Sequence, residues 1–222
     1  MLTARPGDFI DAALTAPHAF QADQWHQSSL TFTHHMPGVV RIQPDNPTVS
    51  RCVVLSSGIH GDETAPIELI DELLADILSG AFTPTVPLLL IIGHAEAIKA
   101  HTRFLEDNLN RLFGGWNPEK NEEHYLANQL QQAVSTFFAA QPASMQRWHL
   151  DLHSAIRDSH HYMFGVIPTT PKATDVRPLA ALLNDANMDA TVLSQSPSPT
   201  FSWYSANYHD ALAATLEMGR VA

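Results

Sequence analysis

The segment CVVLSSGIHGDETAP, residues 52–66, is the part of the sequence that most directly predicts the fold and the functional site. Its first half is predominantly apolar on both faces of an extended chain, which is typical of a strand buried in a parallel or mixed sheet. Its second half places His60, Asp62 and Glu63 within four positions, next to two glycines. Such side chains serve as turn residues or as metal ligands, so this stretch alone leaves both interpretations open.

Predicted strands and helices alternate on both sides of this segment. We expect helices at residues 7–16, 67–80, 94–101, 117–138 and 178–188. We expect strands at residues 39–42, 52–57, 87–93, 148–153, 161–167, 189–193 and 211–219, with a Ser/Pro-rich loop at 194–202. This order predicts an α/β fold with a mostly parallel or mixed central sheet flanked by helices. In such a sheet, ligands bind at the carboxyl ends of the strands.

The composition narrows the class of protein. The 222 residues include 12 basic and 23 acidic side chains, which give a net charge of −11. A nucleic acid or an anionic membrane surface would be repelled, so we expect neither as a partner. The longest apolar run, residues 86–92, is too short to span a bilayer, and no secretory signal pattern opens the chain. We therefore expect a cytoplasmic protein, and the oligomeric state stays unknown at this point.

Two short motifs supply candidate metal ligands. His60 and Glu63 are spaced to share one face where the loop enters a helix, and the predicted strand in WHLDLHS ends at His153. A catalytic zinc site needs three protein ligands and one open position, which this set provides. Asp151 lies two residues before His153, on the same face of the strand, where its carboxylate would accept a hydrogen bond from a ligand histidine.

The other residues of the opening segment receive supporting roles in this hypothesis. We expect Asp62 to act in a turn or as a helix cap, and Gly58 and Gly61 to allow the chain to approach the ion closely. The single cysteine, Cys52, is expected to be a small buried hydrophobic residue. A serine or cysteine hydrolase is a poor alternative because the GxSxG pattern is absent.

The order of these motifs resembles the zinc carboxypeptidase superfamily, in the branch that contains aspartoacylase and succinylglutamate desuccinylase. GIHGDE is followed by DLHS, and between them Arg103 precedes the pair Asn110-Arg111 in the form R-x6-N-R that this branch carries. A late glutamate in the context TLEMG, Glu217, matches the position of the family's general base. GIHGDETAP and DLHSAIRDSHHYMFG are most similar to the succinylglutamate desuccinylase members.

The resemblance implies roles for these residues. One zinc ion would be bound by the three ligands proposed above, in a zinc carboxypeptidase-like fold. Glu217 would move the proton of the attacking water, and Arg103 would stabilise the oxyanion with the metal. Asn110 and Arg111 would bind a carboxylate of the substrate, for which the planar guanidinium fork is suited.

The resemblance also implies an activity, the hydrolysis of the amide bond of N-succinyl-L-glutamate to succinate and L-glutamate in arginine catabolism. The expected substrate is a small anionic N-acyl amino acid. Two other enzymatic specificities stay open, namely N-acetylaspartate-type deacylation and carboxypeptidase activity, which trims the C-terminus of a peptide. A zinc- or ligand-binding module without catalysis is the alternative from another class. The family continues past the general base into a smaller β-rich domain, so we expect residues 1–222 to represent the catalytic domain alone.

Overall fold

The computed structural model describes residues 2–16 and 19–220, and within them nine strands form one sheet with helices on both faces. The helices are α1 (Asp8–Ala13), α2 (Thr64–Ser79), α3 (Ala95–Lys99), α4 (Glu122–Ala139), α5 (Arg177–Asp185) and α6 (Phe201–His209), with a 3-10 turn at Leu109–Arg111. The strands are β1 (Asp23–Gln27), β2 (Leu30–Met36), β3 (Val39–Pro44), β4 (Arg51–Ser57), β5 (Leu88–Ile92), β6 (Gln146–Ala155), β7 (Met163–Ile167), β8 (Ala190–Leu193) and β9 (Leu212–Arg220).

The sheet is mixed, with a parallel centre. Its strand order is β1-β2-β3-β5-β4-β6-β9-β7-β8, in which β5, β4, β6 and β9 run parallel. The first three strands form an antiparallel meander that joins β5, while β7 pairs antiparallel with β9 and parallel with β8. This arrangement confirms the predicted α/β class. It also brings the carboxyl ends of β4, β6 and β9 side by side at one edge.

The helix α2 illustrates how apolar spacing builds the core. Ile67, Ile70, Leu74 and Ile77 recur at helical spacing and are at most 3% exposed. Burial of each such side chain contributes about 1.5–3 kcal/mol. The helix ends at Ser79 and is followed by Gly80, whose φ of 81° is a left-handed conformation that favours glycine. Helices α1, α2 and α5 cover one face of the sheet, and α4 and α6 cover the other.

The start of α4 differs from the prediction. The expected helix start at Asn117 is wrong, because the helix begins at Glu122. Asn121 caps it, since its Oδ1 accepts a hydrogen bond from the backbone N–H of His124 at 3.2 Å. Asn117 is instead held in the preceding loop, where its backbone N–H donates to Asn128 Oδ1 at 2.9 Å.

Three elements were not anticipated, namely β1, β2 and α6, and β7 begins two residues later than expected. The helix α6 replaces part of a predicted loop and carries no clear apolar stripe, since serine, asparagine and aromatic residues are mixed along it. Its start is fixed by Thr200, whose Oγ1 accepts from the backbone N–H of Trp203 at 3.2 Å. Within the described residues, no helix is long and apolar enough to cross a membrane.

Candidate metal and catalytic site

The loop after β4 is shaped by contacts with the chain around α3. Gly58 has a φ of +64°, and a side chain on Gly61 would lie 2.1 Å from the backbone carbon of Ala97. We expected these glycines to allow a close approach to an ion; the structure instead shows that they allow a close approach of two backbone segments. The tight packing places His60 and Glu63 at the carboxyl end of β4, directly before α2.

Three buried side chains converge at this edge of the sheet. His60 Nδ1 lies 2.8 Å from Glu63 Oε1 and 3.2 Å from His153 Nδ1, and His153 Nδ1 lies 2.8 Å from Glu63 Oε2. Two nitrogen ligands about 2.0 Å from a tetrahedral zinc ion would lie about 3.3 Å apart, close to the separation of the two Nδ1 atoms. The three residues expected to bind a metal thus form one group with suitable ligand atoms.

The neighbours of the two histidines indicate which nitrogen atoms face the candidate metal position. His153 Nε2 lies 2.9 Å from Asp151 Oδ2, and His60 Nε2 lies 3.1 Å from Asn108 Oδ1. Both oxygens can only accept, so both Nε2 atoms carry the proton in a neutral ring. The Nδ1 lone pairs then point toward each other and toward Glu63, an arrangement that a cation would stabilise. The donor set therefore fits a zinc ion.

The electrostatics of the candidate ligands follow from burial and close pairing. Burial opposes the charged form of His153, but the carboxylates of Asp151 and Glu63 outweigh it and raise the pKa of His153 to about 10. Burial also opposes the charge of Glu63, yet hydrogen bonds from His153 and His60 hold the pKa of that carboxyl well below its usual range. Glu63 is therefore ionised at neutral pH, as a metal ligand must be.

Glu217 lies beside the candidate ligands on the neighbouring strand. In the parallel pairing of β6 and β9, His153 is opposite Glu217. Glu217 Oε2 is buried and has no hydrogen-bond partner among the described residues. Burial raises the pKa of Glu217; the charges of His153 and Arg103 oppose this change, whereas that of Glu63 reinforces it. A carboxylate with a raised pKa is suited to accept and release a proton.

Arg103 contacts the candidate ligand set directly. Its Nη1 donates to Glu63 Oε1 at 2.7 Å, and its backbone carbonyl accepts from the N–H of Gly61 at 3.3 Å. The guanidinium group has five N–H donors, so others are left for a substrate oxygen. Asn108, which the sequence analysis did not select, lies in the same loop as Arg103. Its Oδ1, which contacts His60 Nε2, also accepts a hydrogen bond from the backbone N–H of Asn110.

Asn110 and Arg111 lie on the 3-10 turn but have different surroundings. Asn110 is buried; its Oδ1 accepts from the backbone N–H of Phe201 at 2.9 Å, and its Nδ2 lies 3.3 Å from His153 Nε2. Arg111 is exposed, and its Nη1 donates to the carbonyl of Asn110 at 2.7 Å. The structure thus places the side chain of Asn110 next to His153, on the side of Nε2, and leaves Arg111 accessible to a small molecule from solvent.

Comparison with known proteins identifies relatives of the whole arrangement. A succinylglutamate desuccinylase of Vibrio vulnificus is 48% identical over 189 residues, which are 85% of this chain and 55% of that protein. The chain therefore spans about half the length of the curated relatives it matches. The X-ray structure of the Vibrio parahaemolyticus succinylglutamate desuccinylase superposes with a TM-score of 0.88 at 43% identity, covering 96% of this chain and 73% of that chain.

A more distant structure supports the same fold. A metallo-carboxypeptidase from Burkholderia cenocepacia superposes with a TM-score of 0.60 at 16% identity, covering 96% of this chain and 58% of that chain. This similarity shows that the chain shares the fold of a metallo-carboxypeptidase. The sequence profile of the succinylglutamate desuccinylase/aspartoacylase catalytic domain matches residues 50–222, a span that includes the candidate ligands, Arg103 and Glu217. The chain belongs to this family of catalytic domains.

Proposed function

We propose that the chain is the catalytic part of a zinc-dependent amidohydrolase that converts N-succinyl-L-glutamate to succinate and L-glutamate, a reaction of arginine catabolism. The observation that carries the proposal is the convergence of His60, Glu63 and His153 at the edge of the sheet, with Glu217 on the adjacent strand. The relatives that bear the name succinylglutamate desuccinylase support the choice of substrate.

The metal would be bound by His60 Nδ1, Glu63 and His153 Nδ1. When bound, a zinc ion polarises the scissile carbonyl and acidifies water. Asp151 and Asn108 keep the two imidazole rings in the orientation that presents Nδ1, because each accepts the proton on Nε2. Each imidazole ring is thus oriented by a residue that is not itself a candidate ligand.

Glu217 would act as the general base. Its buried Oε2, which has no hydrogen-bond partner in the described part of the chain, would accept a proton from water as that water attacks the amide carbonyl. It would later deliver the proton to the leaving amine nitrogen. The raised pKa of the Glu217 carboxyl, caused first by burial, favours this two-way transfer. A fully hydrated carboxylate has a lower pKa and would accept the proton from water less readily.

The arginines would supply the positive charge that an anionic substrate needs in an acidic protein of net charge −11. Arg103, already bonded to Glu63, would direct its other N–H groups at the oxygen that becomes negative during attack. Arg111 would bind a substrate carboxylate through its planar guanidinium group. The backbone carbonyl of Asn110 would hold this group in place by accepting a hydrogen bond from Nη1. The partner in this proposal is a small N-acyl amino acid.

A substrate panel combined with metal removal tests the proposal. The chain is freed of metal with a chelator, reloaded with zinc, and offered N-succinyl-L-glutamate, N-acetyl-L-aspartate and a short peptide, with the products identified by mass spectrometry. We expect zinc-dependent release of succinate as the fastest reaction. Full activity after chelation contradicts the zinc mechanism, and faster turnover of another member of the panel contradicts the choice of substrate. One bound zinc without hydrolysis favours a binding module.

The proposed role of Arg111 has its own test. Replacement by lysine keeps the charge but removes the planar fork, so we expect the KM for N-succinyl-L-glutamate to rise about tenfold with zinc affinity unchanged. Arg177, which is exposed and paired with Asp175, provides the matched control, and Arg177→Lys should leave KM unchanged. An equal KM in both variants contradicts the assignment of Arg111.

A further inference from the structure

A chain of buried hydrogen bonds continues from Asp151 away from the candidate metal position. Ser56 Oγ lies 2.6 Å from Asp151 Oδ1 and 2.8 Å from His149 Nε2, and His149 Nδ1 lies 2.7 Å from Ser205 Oγ. All four residues have a relative exposure of 0%. The chain crosses three elements, since Ser56 lies on β4, His149 and Asp151 on β6, and Ser205 on α6.

The direction of every hydrogen bond in this series follows from the fact that the series ends at a carboxylate, Asp151. Asp151 is an acceptor at both oxygens, so Ser56 must donate its hydroxyl proton to Oδ1. Ser56 can then only accept from His149, which requires the proton of a neutral His149 ring to be on Nε2. His149 Nδ1 is left as an acceptor, and Ser205 donates to it. The order of donation is therefore Ser205 to His149 to Ser56 to Asp151.

The surroundings of His149 keep the ring neutral and fixed. Burial lowers the pKa of His149 to about 4, although Asp151 opposes the change and the charges of His153 and His209 add to it. The ring of Phe201 stands edge-on to His149, with centroids 4.7 Å apart at 89°. Because the neutral ring has one donor and one acceptor, it links Ser205 to Ser56 in a single orientation.

We infer that Ser56, His149 and Ser205 are positioning residues, which hold Asp151 so that His153 keeps its proton on Nε2 and presents Nδ1 to a divalent metal. This inference rests on the metal site in the proposed function, but it adds three residues that are neither candidate metal ligands nor among the residues proposed to act on the substrate. It also gives α6 a role, since the helix supplies the outermost donor. Removal of any link leaves a buried polar group without its partner, and Asp151 is then free to turn.

The first test reads the hydrogen-bond direction without any metal. The wild-type protein is labelled with ¹⁵N-histidine, and the two ring nitrogens of His149 are assigned by the loss of signals in His149→Gln. At pH 7 the metal-free protein should show a neutral His149 ring with the proton on Nε2. A proton on Nδ1, or a charged ring, overturns the inference. This result does not depend on zinc binding or on turnover.

The second test compares matched serine substitutions by zinc affinity, measured in competition with a chromophoric chelator. Ser57 is the control for Ser56, because it is the next residue on β4, is equally buried, and has no hydrogen-bond partner for its Oγ among the described residues. Ser202 is the control for Ser205, because it is buried on the same helix but bonds Thr215 Oγ1 at 2.8 Å. Circular dichroism confirms that each variant is folded.

We expect Ser56→Ala to weaken zinc binding about tenfold, the effect typical of a group that orients a metal ligand. Ser205→Ala should weaken it by a smaller factor, about threefold, because two hydrogen bonds separate it from Asp151. Ser57→Ala and Ser202→Ala should match wild type. Equal affinities of Ser56→Ala and Ser57→Ala overturn the inference. Failure of the wild-type protein to bind zinc instead contradicts the proposed function, and the nitrogen measurement still tests the direction of the chain.

Discussion

Two buried histidine–glutamate pairs in this molecule use their lone pairs differently. In the first pair, His94 Nε2 lies 3.3 Å from Glu123 Oε1, and His94 Nδ1 accepts from the backbone N–H of Ala97. Glu123 Oε1 also accepts from the N–H groups of Leu105 and Glu106 at 2.9 and 3.0 Å. Both nitrogens of this histidine therefore have a partner, and the glutamate anchors the backbone of the loop that carries Arg103.

The second pair, His60 and Glu63, leaves lone pairs directed at one point. Glu63 accepts hydrogen bonds from the N–H of Ser154 and from Arg103, as a structural carboxylate would. The Nδ1 atoms of His60 and His153, however, face each other at 3.2 Å after their Nε2 atoms have found acceptors. Burial is common to both pairs, so burial does not distinguish a candidate metal site from a structural pair. The two are distinguished by whether each histidine nitrogen already has a hydrogen-bond partner of its own.

The largest expected effect separates the two pairs by a single amide substitution. Glu63→Gln removes the charge of a candidate ligand, so zinc affinity should fall by more than about 100-fold, which exceeds the effect of changing a residue that only orients a ligand, and turnover should fall to background. Glu123→Gln makes the same chemical change in the structural pair and should leave zinc affinity within about threefold. Chelator competition measures both. Similar zinc affinities in the two variants would break the comparison.

The next effect concerns the carboxylate that belongs to neither pair. Glu217→Gln cannot accept a proton, so kcat should fall by about 10²- to 10⁴-fold. Zinc affinity should stay close to that of wild type, because Glu217 is not one of the converging ligands. Steady-state kinetics with zinc content measured on the same samples separate the two quantities. Unchanged turnover in the zinc-loaded variant would reject the general-base assignment.

A smaller effect is expected from pH, and it has a defined sign. Without a bound metal ion the pKa of His153 is raised to about 10 by Asp151 and Glu63 against the effect of burial, so at pH 7 a second proton occupies the Nδ1 lone pair that would bind zinc. The stabilisation of the folded protein by the charged His153 ring is fully present below about pH 6.5 and is lost as the pH rises toward 10. Zinc must displace this proton, so affinity should increase about tenfold per pH unit in that range.

The two pairs differ in this respect as well. Burial lowers the pKa of His94, so that ring carries no extra proton at pH 7. Calorimetry in buffers of different ionisation enthalpy should therefore detect release of about one proton per zinc in the wild type and in His94→Gln. Absence of proton release at pH 7 would show that His153 is neutral before binding.

The candidate ligand set was predictable from the sequence because its signals are local. His60 and Glu63 lie three residues apart after a strongly apolar strand, and His153 ends another strand, so pattern and motif predicted their positions at one edge of the sheet. The order of Arg103, Asn110, Arg111 and Glu217 carried the resemblance to the family.

The residues that orient the candidate ligands could not be predicted from the sequence, because their positions depend on contacts between distant segments. His149 and Ser205 are 56 positions apart, and Ser56 and Asp151 are 95 apart. The helix α6, which supplies Ser205, has no apolar stripe that would have revealed it. Asn108 lies close to the recognised Asn110, yet only the fold shows that its oxygen reaches His60. Hydrogen-bond partners of buried groups are a property of the tertiary structure.

The smallest expected effect tests the structural pair through stability. Glu123→Gln keeps an oxygen acceptor but loses its charge, and a charged acceptor strengthens a hydrogen bond by about 1–2 kcal/mol. Burial raises the pKa of Glu123. Hydrogen bonds from the backbone N–H groups of Glu106 and Leu105 and from His94 lower this pKa by more, so the net shift is downward. The contribution is thus present above about pH 4.3 and lost as the pH falls through the folded-state pKa.

Urea unfolding at pH 7 and at pH 3 measures this contribution. Glu122, the exposed neighbour at the start of α4, is the control, and Glu122→Gln should change the free energy of unfolding by less than about 0.5 kcal/mol. Glu123→Gln should be less stable than wild type at pH 7, and the difference should shrink at pH 3, which lies below the pKa of about 4.3 at which the carboxylate of the unfolded chain takes up its proton. A difference that is the same at both pH values would mean that shape rather than charge holds the Arg103 loop, and the contrast between the two histidine–glutamate pairs would then rest on the histidine lone pairs alone.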